Sequence, residues 1–256
     1  MKEAFAAGPS RRRRWPGAVA AALLGANVAV WGGAWALFRP AERPAPSPAP
    51  TAIPQVAPSP VVSDAAAGSL LPVFATAGGV RLRLVSAEPV VVAFHEASYD
   101  DAMAFRPTGV CGRCRNPTKF VPPPPRDPSL RYLVTHSRGR DTPATSAADL
   151  VLPAGTPVLS PIDGIVARVR RYRLYRRYPD IRVVIRPADA RERRVVLLHL
   201  GAVPVRPGDG VTASATVLGT PRRLPFESQV DRYVRGRYPH VHLEVKDAAA
   251  ARQTTV

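Results

Sequence analysis

His240-Val-His-Leu-Glu-Val245 alternates polar and apolar residues with a period of two. This is the pattern of a half-buried β-strand. Val241, Leu243 and Val245 fall on one side of it, and His240, His242 and Glu244 on the other. Two imidazoles on one strand face, two residues apart, stand roughly 7 Å from each other. At that separation one can hold a metal while the other reaches a water or substrate beside it. The same pattern also describes a plain strand with two polar residues on a wet face, so the upstream sequence has to decide.

Moving outward, short strand-like runs recur between turn signals: Tyr132–Thr135, Pro157–Leu159, Gly164–Val169, Ile181–Ile185, Val195–Leu200 and Thr216–Leu218. No amphipathic helix of useful length interrupts them. The expected fold is mainly β, an antiparallel sandwich or barrel-like core.

Asp149-Leu-Val-Leu-Pro-Ala-Gly-Thr-Pro-Val158 and Ser160-Pro-Ile-Asp-Gly-Ile-Val166 resemble segments of the lysostaphin/LytM-type (M23) zinc metallopeptidases. So do Leu197-Leu-His-Leu200, Val205-Arg-Pro-Gly-Asp-Gly-Val211 and the His240–Val245 strand, in the family's order, over roughly residues 131–247. The resemblance implies an antiparallel β core holding one Zn²⁺ and cleavage of peptide bonds in peptidoglycan cross-bridges or stems. It also implies that Asp149 and His242 are metal ligands, and that His199 and His240 are catalytic, flanking the attacking water. The chemistry agrees: three protein ligands and an open position suit catalytic zinc, and a neutral imidazole nearby serves as general base.

One family position departs from the pattern. Where His-x-x-x-Asp requires a histidine, Thr145 stands four residues before Asp149, followed by Ser146-Ala-Ala148. The nearest substitute is His136 in Val134-Thr-His-Ser-Arg138, and the sequence nominates it as third ligand. Of five histidines in the chain, His136, His199, His240 and His242 fall in this region, in keeping with a His-rich site. The alternative is a decayed site: a non-catalytic domain of the same fold that binds cell wall or regulates another wall hydrolase. Two further stretches carry no fixed role. The excursion from Pro221 to Tyr238, bearing arginines and tyrosines, reads as a groove wall or a solvated loop. Arg168-Val-Arg-Arg-Tyr-Arg-Leu-Tyr-Arg-Arg-Tyr178 reads as a solvated hairpin or as a contact for phosphate-rich wall polymer or glycan.

The N-terminal half organises around export. Residues 1–14 form a basic tail ending in Arg11-Arg-Arg-Arg14, and Trp15 to Phe38 runs without a charge. Its reach of roughly 36 Å spans a bilayer core, with Trp15, Trp31 and Trp35 near its ends. The arginines before the span place residues 1–14 in the cytoplasm and the C-terminal domain outside. A cleaved signal peptide or a twin-arginine export signal are the competing readings. Residues 39–68 follow as a proline-rich linker, 69–121 as a small β-rich segment, 122–130 as a second proline-rich spacer, 131–249 as the M23-like domain and 250–256 as a tail. Within 69–121, His95-Glu96 lacks the second histidine of a zincin helix, since Tyr99 stands there, so this polar stretch reads as a loop. Cys111-Gly-Arg-Cys114 is a lone pair, expected as a disulfide outside the membrane. The net charge of +17 calls for an anionic partner. An exported domain points to peptidoglycan or another anionic wall polymer, with the membrane held by the N-terminal helix and nucleic acid excluded.

Overall fold

The computed structural model describes residues 69–99 and 101–249. The expected basic tail, membrane span, proline-rich linker and C-terminal tail therefore lie outside the described residues. Among the described residues no helix is long and apolar enough to cross a membrane.

Fifteen strands follow one another in chain order. They are β1 (Val73–Ala77), β2 (Val80–Arg83), β3 (Val91–His95), β4 (Arg106–Pro107), β5 (Val110–Cys114), β6 (Arg131–Val134), β7 (Ala147–Val151) and β8 (Val158–Leu159). Then come β9 (Gly164–Leu174), β10 (Tyr178–Pro187), β11 (Arg193–Leu198), β12 (Leu200–Gly201), β13 (Gly210–Val211), β14 (Val217–Pro221) and β15 (His240–Asp247). A 3-10 turn at Val230–Arg232 is the helical element among the described residues.

A nine-stranded sheet in the order β13-β9-β10-β11-β15-β7-β3-β6-β5 forms the body. One face carries the core. Val241, Leu243 and Val245 of β15 meet Leu150 of β7, Leu197 of β11 and Val183 and Ile185 of β10, all buried. Two three-stranded sheets, β2-β1-β4 and β12-β14-β8, contribute Phe74, Leu82, Leu200 and Leu218 to the same cluster. Burying branched and aromatic side chains between layers is worth about 1.5–3 kcal/mol each, which offsets the entropy of ordering so many short strands.

The structure departs from the sequence expectations for the sheet in two places. First, the sheet is mixed: β3 pairs with β6 in parallel, and β6 with β5 likewise. The connection from β3 to β6 passes through 96–130, long enough to bring the chain back to the same end of the sheet. Second, the boundary expected at 122–130 does not divide the fold, because β3 lies between β7 and β6. Phe94 of β3 packs edge-on against Tyr132 of β6, ring centroids 5.4 Å apart, and 5.8 Å from Phe105. Residues 69–121 therefore give the nine-stranded sheet two strands, β3 and β5, and share its core. The arginine-rich run is the solvated hairpin among the sequence readings: β9 extends past the expected Val169 to Leu174, where Tyr175 and Arg176 turn the chain with φ of 52° and 58° into β10. Cys111 and Cys114 are joined by a disulfide in edge strand β5.

Candidate metal centre and its flanking histidines

The register of three adjacent strands builds the site. On β15, His242 stands opposite Asp149 of β7, and Asp149 stands opposite Ala93 of β3. His95, two residues beyond Ala93, shares its face and ends the strand. The result is a cluster of His95, Asp149 and His242 whose donor atoms lie within 4.8 Å of one another. His95 Nε2 is 3.1 Å from Asp149 Oδ1, and His242 Nδ1 is 2.9 Å from the same oxygen.

The fit of a cation to this cluster follows from its protons. His95 Nδ1 lies 2.9 Å from the carbonyl oxygen of Glu96, which can only accept, so Nδ1 carries the proton. Nε2 is then the ring nitrogen left to face the carboxylate, and it is buried with no other hydrogen-bond partner. A nitrogen and a carboxylate oxygen in such contact are held together by a positive charge, carried by a proton on Nε2 or by a metal ion in its place. His242 is held from behind, its Nε2 3.0 Å from Glu244 Oε1. Burial disfavours the His242 imidazolium, but the carboxylates of Asp149 and Glu244 outweigh it and raise its pKa to about 9 in the metal-free protein. Burial likewise pushes the Asp149 carboxyl upward, and the neighbouring imidazoles of His95 and His240 with the bond from His242 hold it well below the carboxylate range. A zinc ion fits this donor set: two imidazole nitrogens, one carboxylate oxygen and a carboxylate behind one histidine.

The polar face of β15 is dry, contrary to the half-buried expectation. His240, Glu244 and Lys246 are buried, with only His242 partly exposed among them. Each charge there has a partner: Lys246 Nζ lies 3.0 Å from Glu244 Oε2 and 2.7 Å from Asp101 Oδ1. Pairing is what lets charges leave water.

His199 and His240 flank the cluster. Their rings meet edge to face at 5.2 Å, and His199 lies 5.8 Å from the His242 ring. His240 Nε2 is 4.0 Å from Asp149 Oδ2. Burial, with the neighbouring His199 and His242 and against the pull of Asp149, lowers the His240 pKa to about 4, so its ring is neutral near pH 7.

The structure thus brings together Asp149, His242, His199 and His240 and leaves His136 apart. His136 is exposed and bound to Tyr233, whose hydroxyl accepts from the His136 amide at 2.8 Å and lies 2.6 Å from its Nδ1. Gln229 Nε2 donates to the His136 carbonyl at 3.1 Å, so His136 fastens the 221–238 excursion to the body. Thr145 is buried and donates its hydroxyl to Phe105 O at 2.8 Å, occupied away from the cluster. The histidine in the third place is His95, which sequence reasoning assigned to a loop. Its only local signal is the apolar run Val90–Phe94, which marks a strand running up to it. Glu96 is not a general base here. Its buried carboxylate accepts from Lys119 Nζ, Ser137 Oγ and the amides of Arg138 and Arg140, pinning the loop after β6.

Comparison with known proteins finds no matching family model and no matching curated protein. Among solved structures the chain is similar to the solution structure of lysostaphin, at 22% identity over 40% of this chain and 36% of that one, with a TM-score of 0.30. It is similar to a catalytic-domain variant of the prophage-encoded M23 protein EnpA from Enterococcus faecalis, at 21% identity over 45% and 77% of the two chains, with a TM-score of 0.32. A zinc-containing peptidase from Vibrio cholerae gives 24% identity over 43% and 29%, with a TM-score of 0.30. The chain spans about a third of the lysostaphin structure it matches.

Proposed function

We propose that this protein is a zinc-dependent endopeptidase of the cell envelope, cutting peptides of peptidoglycan. The observation that carries the reading is the meeting of His95, Asp149 and His242 around a buried His95 Nε2, with two further histidines beside them. The peptide substrate class comes from the sequence motifs around Asp149, His199 and His240–His242. Zinc, when bound, supplies Lewis acidity that makes a water acidic near neutral pH and polarises a carbonyl. His95, Asp149 and His242 hold it. His199 takes a proton from the attacking water as the new carbon–oxygen bond forms. That proton then passes to the departing amine nitrogen as the carbon–nitrogen bond breaks. His240, neutral at working pH, donates a hydrogen bond to the oxygen on which charge develops.

The same proposal places the chain in the cell membrane as a single-pass protein, with the N-terminus cytoplasmic and the β domain facing the wall. The uncharged run from Trp15 to Phe38 behind four arginines supports it. The +17 charge supports an anionic wall partner.

Incubating the full-length protein with purified peptidoglycan tests the activity. Soluble fragments with new peptide termini are expected, released with zinc present and suppressed by a chelator. Zinc-loaded protein that binds the polymer without releasing peptides would leave a non-catalytic wall-binding domain in its place.

A further inference from the structure

A further buried carboxylate lies beside the site, and the reading above gives it no part. Asp180 opens the second arm of the β9–β10 hairpin, and its side chain is fully buried. Its Oδ2 lies 2.7 Å from His199 Nδ1 and accepts the Tyr172 hydroxyl at 2.6 Å. Its Oδ1 accepts from the Arg222 guanidinium at 3.2 Å. All three neighbours are donors. Burial pushes the Asp180 carboxyl upward, but the contacts from the His199 imidazole and the Tyr172 hydroxyl prevail and lower it.

The circuit closes through the main chain. The Arg222 amide donates to the His199 carbonyl at 2.8 Å. His199 itself adopts φ of 64°, a left-handed conformation that a non-glycine residue keeps only when its surroundings fix it. Both the backbone and the ring of His199 are therefore held by Asp180 and Arg222. These contacts come from β10 and from the residue after β14, on elements separate from the His199 segment.

We propose that Asp180 is the positioning residue for His199: its carboxylate keeps the His199 proton on Nδ1, so that Nε2 presents a lone pair to the attacking water. The assignment rests on the hydrolytic reading above for its purpose and on the Asp180–His199–Tyr172–Arg222 geometry for its substance. A neutral imidazole left to itself divides its proton between the two nitrogens. With the proton on Nε2 it cannot accept another there, and the base is lost. Pairing with a buried carboxylate both selects the productive tautomer and stabilises the imidazolium formed when the proton arrives. Tyr172 contributes at one remove by keeping Asp180 ionised and oriented. Asp180 touches no substrate, so it is not a catalytic residue.

Two measurements on the full-length protein test this. Nitrogen-15 NMR of the histidine rings reads the tautomer with or without activity. His199 is expected as the Nδ1–H form in wild type, and with substantial Nε2–H population in Asp180→Ala and Asp180→Asn. Asn conserves the volume, so this variant keeps the test open should the alanine form fail to fold. In steady-state peptide release, Asp180→Asn is expected to lower kcat by about 10²–10⁴-fold with KM and zinc content unchanged. Tyr172→Phe should cost less than about tenfold, since the carboxylate remains. An unchanged His199 tautomer in both Asp180 variants would overturn the proposal, as would a kcat within threefold of wild type. Failure of the hydrolytic reading looks different: wild type releases no peptides, while the tautomer experiment still gives its answer.

Discussion

His95 Nε2 and Asp149 Oδ1 face each other at 3.1 Å on paired strands, both side chains out of water. A metal bound by this cluster would take its place at this contact, between the imidazole nitrogen and the carboxylate oxygen. His95→Ala, Asp149→Ala and His242→Ala are each expected to reduce zinc from about one ion per chain to near none. His136→Ala should retain zinc and peptide release within about threefold, because its contacts are to Tyr233 and Gln229. Metal analysis of the purified variants decides. Zinc kept in His95→Ala and lost in His136→Ala would reverse the assignment.

A fragment cut at the proline run, residues 126–256, should not fold. It lacks β1 to β5, including the strand between β6 and β7, and it removes Phe74, Phe94 and Phe105 from the core. Losing even one large buried aromatic costs about 3–5 kcal/mol, comparable with the whole stability of many domains. Residues 69–249 should unfold cooperatively in a thermal melt followed by circular dichroism. A sharp melt of 126–256 within about 5 °C of the longer piece would show that the first five strands are dispensable.

Glu96 gives the metal-free protein an acid limb. Burial raises its carboxyl, but the bonds from Ser137, Lys119 and the Arg140 and Arg138 amides win and lower the pKa from 4.5 to about 2. A depressed carboxylate stabilises the fold above its unfolded pKa, and this stabilisation fades as pH falls from about 4.5 towards 2. Glu96→Gln should therefore be less stable than wild type at pH 7, by roughly 1–3 kcal/mol. The gap should narrow as pH drops through that window. Denaturant melts of the zinc-free proteins at pH 7 and pH 3 measure it, and a gap that stays constant contradicts the assignment.

The Cys111–Cys114 disulfide closes a very short loop at an edge strand. Reaction with a thiol reagent is expected only after reduction. The double serine variant should lose no more than about 2 kcal/mol, since so small a loop restricts the unfolded chain little. A loss well beyond that would mean the bridge also shapes the β5–β6 pairing.

For the membrane proposal, cysteines introduced at Ser10 and Ser59 report sidedness in intact cells. An impermeant label should reach Ser59→Cys and spare Ser10→Cys. Labelling at both positions, or a soluble form beginning near Ala41, counts against a cytoplasmic, uncleaved anchor.

Several parts of this arrangement were readable before any coordinates. The alternation in His240–Val245 fixes which residues face the core, and Val241, Leu243 and Val245 are there. Asp149, His199, His240 and His242 do converge, because their motifs sit on strands or at strand ends. His95 was not readable. Its partners are set by the order of strands in the sheet, which no local spacing records, and a proline run suggested a boundary just where the chain continues into the same layer. The extension of β9 was hidden for a different reason: with arginines on both faces, it shows no apolar period to count. Asp180 is likewise an isolated acid in sequence, and only the pairing of β10 with both β9 and β11 sets it against Tyr172 and His199.

The placement of β3 between β7 and β6 also governs when the site comes into being. One donor lies near the start of the described chain, another midway and the last on the final strand. Synthesis runs from the amino end, so a chain still being made holds His95 and then Asp149, and gains His242 only when nearly everything else is complete. Contacts of such sequence separation also form slowly. A copy that stops short of β15 holds at most two of the three donors, so the cluster can be complete only in a chain whose last strand has been made.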